Sequence, residues 1–141
     1  MSRADFYLLP PGGTRQAFAC RLVEKVYKLG QSIWLRLDAA DLLDMEQALW
    51  VFKPESFIPH QIFNSSATLA NCPVWLINAD QTLPQAPCDL LINLALTPLQ
   101  PGSNVARIAE IVPQDETIRR ITRQQYTVYK ALEWQMTTHT L

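Results

Sequence analysis

The chain has 141 residues, 48% of them hydrophobic, which is enough apolar mass for one core and too little length for two independent domains. A formal net charge of −1 and a pI near 6.1 exclude the strongly basic character of a dedicated nucleic-acid binder, so any role on DNA is expected to be indirect. Three cysteines without a C-x-x-C pair exclude a disulfide framework or zinc site and read as buried thiols, while the absence of a signal pattern or a long apolar run predicts a cytoplasmic protein with no membrane span.

Residues 6–9 form a short apolar run of strand length. Residues 14–29 carry a helical pattern, and Gly30 closes it where glycine is favoured after a helix. Ile33–Leu37 reads as a second strand, after which Asp38 or Asp41 can cap a helix running to Phe52. In that helix Leu42, Met45, Leu49 and Phe52 fill one face at about 100° per residue, which leaves Trp50 to one side. Pro54 ends the helix. Residues 57–60 are then extended, and Pro59 cannot donate to a ladder, so an edge strand or exposed bend is expected. Aromatics displayed there suit a protein–protein hot spot, the alternative being that Trp50 and Phe57 pack inward.

Residues 74–79 and 90–96 are further apolar runs, separated by a turn region at Pro84 and Pro87. Residues 108–112 supply another strand. The last helix spans about residues 115–134, and residues 135–141 are expected to fray. The loops at 64–71 and 99–104 are expected to be the most mobile. Near-continuous apolar strands alternating with helices predict a single α/β domain over residues 1–141, with three α/β/α layers and a mostly parallel central sheet. Such a Rossmann-like sheet raises the question of a nucleotide.

The candidate for phosphate is Pro11-Gly12-Gly13-Thr14-Arg15, which follows the first strand and opens the first helix. The chain has neither G-x-x-x-x-G-K-[ST] nor G-x-G-x-x-G, and only four glycines. A nucleotide-binding enzyme on the Gly12-Gly13 loop is therefore the weaker reading, and a tight turn the simpler one. His60 and His139 are the only histidines, and neither accompanies a Ser or Cys nucleophile in a strand-to-helix elbow. Asp38, Asp41, Asp44 and Glu46 cluster near a helix N-terminus, where acidic residues are favoured by the dipole without any metal. No catalytic constellation, metal site or cofactor is read from the chain.

The last helix has sorted charges. Ile118, Ile121, Val128 and Leu132 cluster on one side of a wheel, and Arg119, Arg123, Tyr126 and Lys130 line up opposite at steps of four, three and four. No acidic residue lies between Arg119 and Lys130, so intrahelical ion pairs are not expected to consume these cations. Arginine forks match carboxylates, and Tyr126 offers an apolar ring plus a hydroxyl. The stripe suits an acidic peptide ending in an aromatic residue and a free carboxylate. A plain solvated face, or direct binding of single-stranded DNA with Tyr126 stacking on bases, are the alternatives.

Ala48-Leu49-Trp50 followed by Pro54-Glu55-Ser56-Phe57-Ile58-Pro59-His60 resembles the signature of the chi subunit of bacterial DNA polymerase III, a clamp-loader accessory protein. The opening Asp5-Phe6-Tyr7-Leu8-Leu9 is similar to that family's first strand. Ile111-Val112-Pro113 with the helix through Arg119, Arg123, Tyr126 and Tyr129 is similar to its C-terminal end. The resemblance covers nearly the whole chain, residues 64–87 matching it weakly. It implies a Rossmann-like fold without a phosphate-binding loop and a non-catalytic adaptor function. In the family, one surface takes the acidic C-terminal tail of single-stranded DNA-binding protein. Carried over, Val112 would line its apolar part, Arg119 and Arg123 would meet carboxylates, and Tyr126 would pack on the terminal aromatic. The family often has lysine at the position of Arg119; arginine keeps the charge and changes the donor geometry. The other surface docks the psi subunit, which the resemblance places at Trp50, Phe57, Pro59 and His60, with a helicase-like partner as an alternative occupant. Nucleic acid would be met only through these partners.

Overall fold

A computed structural model describes residues 2–52, 57–64 and 72–141. In chain order these form β1 (Arg3–Leu8), α1 (Arg15–Tyr27), β2 (Ile33–Leu37), a 3-10 turn (Ala39–Asp41), α2 (Leu42–Phe52), β3 (His60–Ile62), β4 (Val74–Asn78), β5 (Leu90–Asn93), β6 (Arg107–Val112), α3 (Glu116–Ala131) and β7 (Gln135–Thr140). The seven strands make one parallel sheet in the order β3-β4-β2-β5-β6-β1-β7. The expected α/β, Rossmann-like class is the one observed.

Alternation along each strand divides the core between the two faces. Leu35, Leu76, Ile92, Ala109 and Ile111 face α1 and α2, which contribute Ala19, Val23, Val26, Met45 and Leu49. Trp34, Ile77, Leu91, Ile108 and Phe6 face the opposite way, toward Tyr129 of α3 and the loop residues Leu99 and Val105. The second outer layer is thus one helix completed by connecting loops. In the expected mobile loop, Leu99 exchanges hydrogen bonds with Gln125, and Asn104 donates to the carbonyls of Pro84 and Ala86.

Local chemistry accounts for the boundaries. Thr14 caps α1 by accepting from the Ala17 amide at 3.2 Å, one of the amides a helix start leaves free. The Pro10–Gly13 segment is a tight turn: the Gly13 amide donates to the Pro10 carbonyl at 3.0 Å. Gly12 takes φ +82°, as the third residue of a type II turn with proline second requires. Asp38 stands at the head of the 3-10 turn without capping it. Its carboxylate instead accepts from the Leu96 amide and the Thr97 hydroxyl, at 2.9 and 3.1 Å, tying the end of β2 to the chain beyond β5. Pro54, read as the stop for α2, lies outside the described residues.

Two expectations about the C-terminal third are corrected. Residues 135–140 are not frayed; they form β7, parallel to β1 with Phe6 beside Thr138 and Tyr7 beside His139. The His139 ring stacks on Tyr7 at 4.8 Å, and its Nε2 lies 3.5 Å from Asp5 Oδ1. Asp5 is also bridged by Arg107 at 2.6 Å. The strand was hidden because an edge strand needs few apolar residues, although its three threonines favour β structure. Nor does α3 run to Trp134. It ends at Ala131 in a Schellman motif, with the Trp134 amide donating to the Tyr129 carbonyl and Glu133 to that of Lys130. Glu133 occupies the left-handed position at φ 60° that glycine usually takes, so the sequence carries no glycine stop signal there.

Candidate functional site

Alternate residues of β1 and β6 share one face, and they make an apolar floor: Phe6 and Leu8 from β1, Val112 from β6. Arg119, Thr122, Arg123 and Tyr126 of α3 form one wall, and Thr138 of β7 closes the far side, enclosing a groove of about 360 Å³. The four residues expected to bind an acidic tail, Val112, Arg119, Arg123 and Tyr126, all line this one groove. Lys130, last of the basic stripe, is exposed and does not line it. Phe6, Leu8, Thr122 and Thr138 were not expected; Thr122 comes with the helix face, and only the strand register brings the other three there.

The cations are anchored but not exhausted. Arg119 Nε donates to the Pro113 carbonyl at 3.3 Å. Arg123 pairs with Glu116 at 3.2 Å, both side chains well exposed. That pair corrects the expectation that no intrahelical acid would engage the stripe: Glu116 lies outside the interval from Arg119 to Lys130 yet reaches Arg123 two turns along. An exposed pair of this kind contributes only about 0–1 kcal/mol, so a ligand carboxylate can replace it. Tyr126 is 42% exposed and its ring lies 5.5 Å from that of Phe6, leaving an aromatic edge open at the groove.

The inward stripe of α3 differs from the wheel. Thr122, Gln125 and Tyr129 are buried, whereas Ile118, Ile121 and Val128 are half-buried and Leu132 is exposed. The reason lies beneath the helix, where the sheet presents a carboxylate. Glu110 Oε2 accepts from the Tyr129 hydroxyl at 2.5 Å and from Asn93 Nδ2 at 2.9 Å. Asn93 in turn accepts from Arg36, whose guanidinium also donates to the carbonyls of Thr97 and Pro98. Gln125 donates to the Leu99 carbonyl and accepts from its amide, at 3.0 and 2.9 Å. Burial pushes the Glu110 carboxyl up to about 7, against the opposing hydrogen bonds from Tyr129 and Asn93 and the charges of Arg15 and Arg36. Burial, reinforced by the Glu110 charge, raises the Tyr129 phenol as well.

At the opposite edge of the sheet sits an aromatic cluster. Trp50, at the end of α2, lies 5.1 Å from the Phe57 ring and 4.6 Å from the His60 ring, and donates from Nε1 to Glu46 at 3.3 Å. Phe57 is 60% exposed and Trp50 43%, which removes the alternative that they are core. Pro59 is half-buried, and His60 is buried in β3, its Nδ1 2.7 Å from the Ile58 carbonyl. So Trp50 and Phe57 form the surface, and His60 supports it from below.

The remaining chemistry is sparse. Arg15, Asp41 and Asp44 line a cavity of about 220 Å³ beside α1, near the strand ends where such sheets hold nucleotides. Arg15 is committed to the Leu94 carbonyl at 2.9 Å, and the two carboxylates would repel a phosphate. Among the described residues no group of three or more His, Cys, Asp or Glu is placed to hold a metal ion, and no helix is long and apolar enough to cross a membrane. Cys20 and Cys88 are buried and Cys72 half-buried. Burial raises the Cys20 and Cys88 thiols to about 11 and about 12, which keeps them protonated.

Fold and sites together define a Rossmann-like α/β domain with a cationic, apolar-floored groove near one sheet edge and an exposed aromatic cluster at the other. A family model described as DNA polymerase III chi subunit, HolC, matches residues 1–137, and the chain belongs to that family. It is 34% identical over 146 residues to the DNA polymerase III subunit chi of Pseudomonas aeruginosa, covering 100% of this chain and 98% of the relative. Identity is 26% to the subunit of Haemophilus influenzae, over 96% and 94% of the two chains. It is 22% to that of Escherichia coli, over 99% of each. This membership supports an accessory role in DNA replication.

Proposed function

We propose that the chain is a non-catalytic adaptor that links the acidic C-terminal tail of single-stranded DNA-binding protein to the polymerase III clamp loader through the psi subunit. The observation that carries the reading is the convergence of Val112, Arg119, Arg123 and Tyr126 on one groove. Two guanidinium groups answer carboxylates, and the Phe6, Leu8 and Val112 floor beside Tyr126 accepts an aromatic side chain. The psi subunit takes the Trp50 and Phe57 surface, with Pro59 and His60 beneath it.

The two surfaces are independent by placement. Strands lie about 4.8 Å apart, so a seven-stranded sheet separates its edges by roughly 29 Å. Both partners therefore fit at once, and two modest contacts joined through one rigid sheet raise the effective concentration of each partner near the other. The adaptor acts in the cytoplasm at replication forks and meets DNA only through its coating protein.

The test is retention of the purified chain on immobilised single-stranded DNA, bare and coated with single-stranded DNA-binding protein, with or without that protein's tail. Retention only on DNA coated with the intact protein is expected. Retention on bare DNA with a steep salt dependence would replace the adaptor by a direct DNA binder.

A further inference from the structure

We propose that Tyr129 and Gln125 are positioning residues for the groove: their buried hydrogen bonds fix α3 on the sheet and so set where Arg119, Arg123 and Tyr126 stand above the floor. The inference rests on the reading of the groove as a site for an acidic peptide.

A helix usually seats on a sheet through an apolar stripe, and dispersion contacts are non-directional, so small slides and rotations cost little. The buried stripe of α3 is Thr122, Gln125 and Tyr129, and hydrogen bonds lose strength steeply with angle. Gln125 clamps both the amide and the carbonyl of Leu99, which opposes translation along the helix axis. One turn further on, the Tyr129 hydroxyl is held by Glu110, which opposes rotation. The carboxylate is itself fixed, because Arg36, Asn93 and Glu110 stand side by side in register across β2, β5 and β6.

The same register row continues into the groove. Phe6 of β1 is the neighbour of Glu110, and its ring lies between Tyr129 at 6.1 Å and Tyr126 at 5.5 Å. Arg119 and Arg123 lie within three turns of Tyr129 on the same helix. Loosening either hydrogen bond therefore changes the relation of both cations and Tyr126 to the floor, although neither Tyr129 nor Gln125 lines the groove. Affinity separates this positioning role from a purely stabilising one.

The experiment titrates a synthetic Asp-rich peptide ending in phenylalanine, with a free carboxylate, into the full chain well below its unfolding temperature. The variants are Tyr129→Phe, Gln125→Leu, Tyr126→Ala, Arg123→Ala and the double variant Tyr126→Ala with Tyr129→Phe. Residues that act through a packed network without touching ligand shift coupling by about twofold to thirtyfold. Folded Tyr129→Phe and Gln125→Leu are expected to bind about tenfold more weakly. In the Tyr126→Ala background Tyr129→Phe should still weaken binding, since it also moves Arg119 and Arg123 over the floor, but by less than in the wild type because the shared ring is already gone.

Wild-type affinity in both positioning variants, with a lowered melting temperature, would show a purely structural role and overturn the proposal while leaving the groove reading intact. No further weakening of Tyr126→Ala by Tyr129→Phe would overturn the claim that Tyr129 sets the two cations. If Arg123→Ala binds like the wild type, the groove reading itself fails and this inference with it. If one positioning variant does not fold, the other decides.

Discussion

On the proposed reading, the two ends of the sheet solve recognition in opposite ways. Near the β7 edge the groove offers guanidinium groups on a helix that is pinned from beneath by buried polar bonds. At the β3 edge Trp50 and Phe57 offer ring area, and Trp50 donates to Glu46 at the surface. A charged ligand demands placed donors, whereas an apolar anchor demands area and a dry rim. Salt should therefore weaken the first contact much more than the second.

The sharpest way to break this contrast is Phe57→Ala. Loss of an exposed aromatic anchor should cost the psi complex about 2–4 kcal/mol and leave both the melting temperature and tail-peptide affinity nearly unchanged. Measuring all three on one variant decides: a large fall in melting temperature with loss of both partners would end the idea of two independent surfaces at this residue.

Next is a pH signature that belongs to the groove side alone. Glu110 is held at about 7, above its ordinary 4.5. Between those values the folded chain keeps a proton that the unfolded chain has released, so stability falls as pH rises through the window and levels off above it. The contribution is up to about 3 kcal/mol at roughly 1.4 kcal/mol per unit. Denaturant unfolding at pH 5, 6, 7 and 8 should show that slope in the wild type and a flatter one in Glu110→Gln. Identical slopes would mean that Glu110 does not titrate there.

A somewhat smaller effect is expected at the groove rim. Arg123→Ala should weaken tail-peptide binding by about 1.5–3 kcal/mol, the range for a hydrogen bond to a charged group, with the fold intact because the side chain is exposed. Calorimetric titration at two salt concentrations checks it, and the variant should also show the shallower salt dependence. Smallest is Glu133→Gly. Relief of a left-handed non-glycine residue is worth about 1 kcal/mol, seen as a modest rise in melting temperature with no change at either surface.

What could be read from the chain follows which physics sets each element. The runs at β2, β4, β5 and β6 are buried on both faces, so apolar composition alone announces them. The inward face of α2 was also legible, because Leu42, Met45 and Leu49 do meet an apolar layer. The face of α3 was not, since a wheel assumes greasy contact and Glu110 supplies a polar one. β7 escaped for a related reason: parallel pairing with β1 is a long-range choice that Gln135, Thr137 and Thr138 do not advertise. Of the groove, the cation spacing and the resemblance located Val112, Arg119, Arg123 and Tyr126. Phe6, Leu8 and Thr138 could be found only once the strand order was known.

That order has a consequence for how the protein comes into being. β1 is the first strand made, yet its only neighbours are β6 and β7, so Arg3 must wait for Arg107 and Gln135. During synthesis the N-terminal strand leaves the ribosome with no edge to join, a high-contact-order arrangement that folds slowly. The half of the sheet on which α2 and Trp50 sit can assemble from β2, β4 and β5 while translation continues. The groove has no complete floor until the last strands emerge, so nascent or C-terminally truncated chains can present the aromatic surface but not the groove.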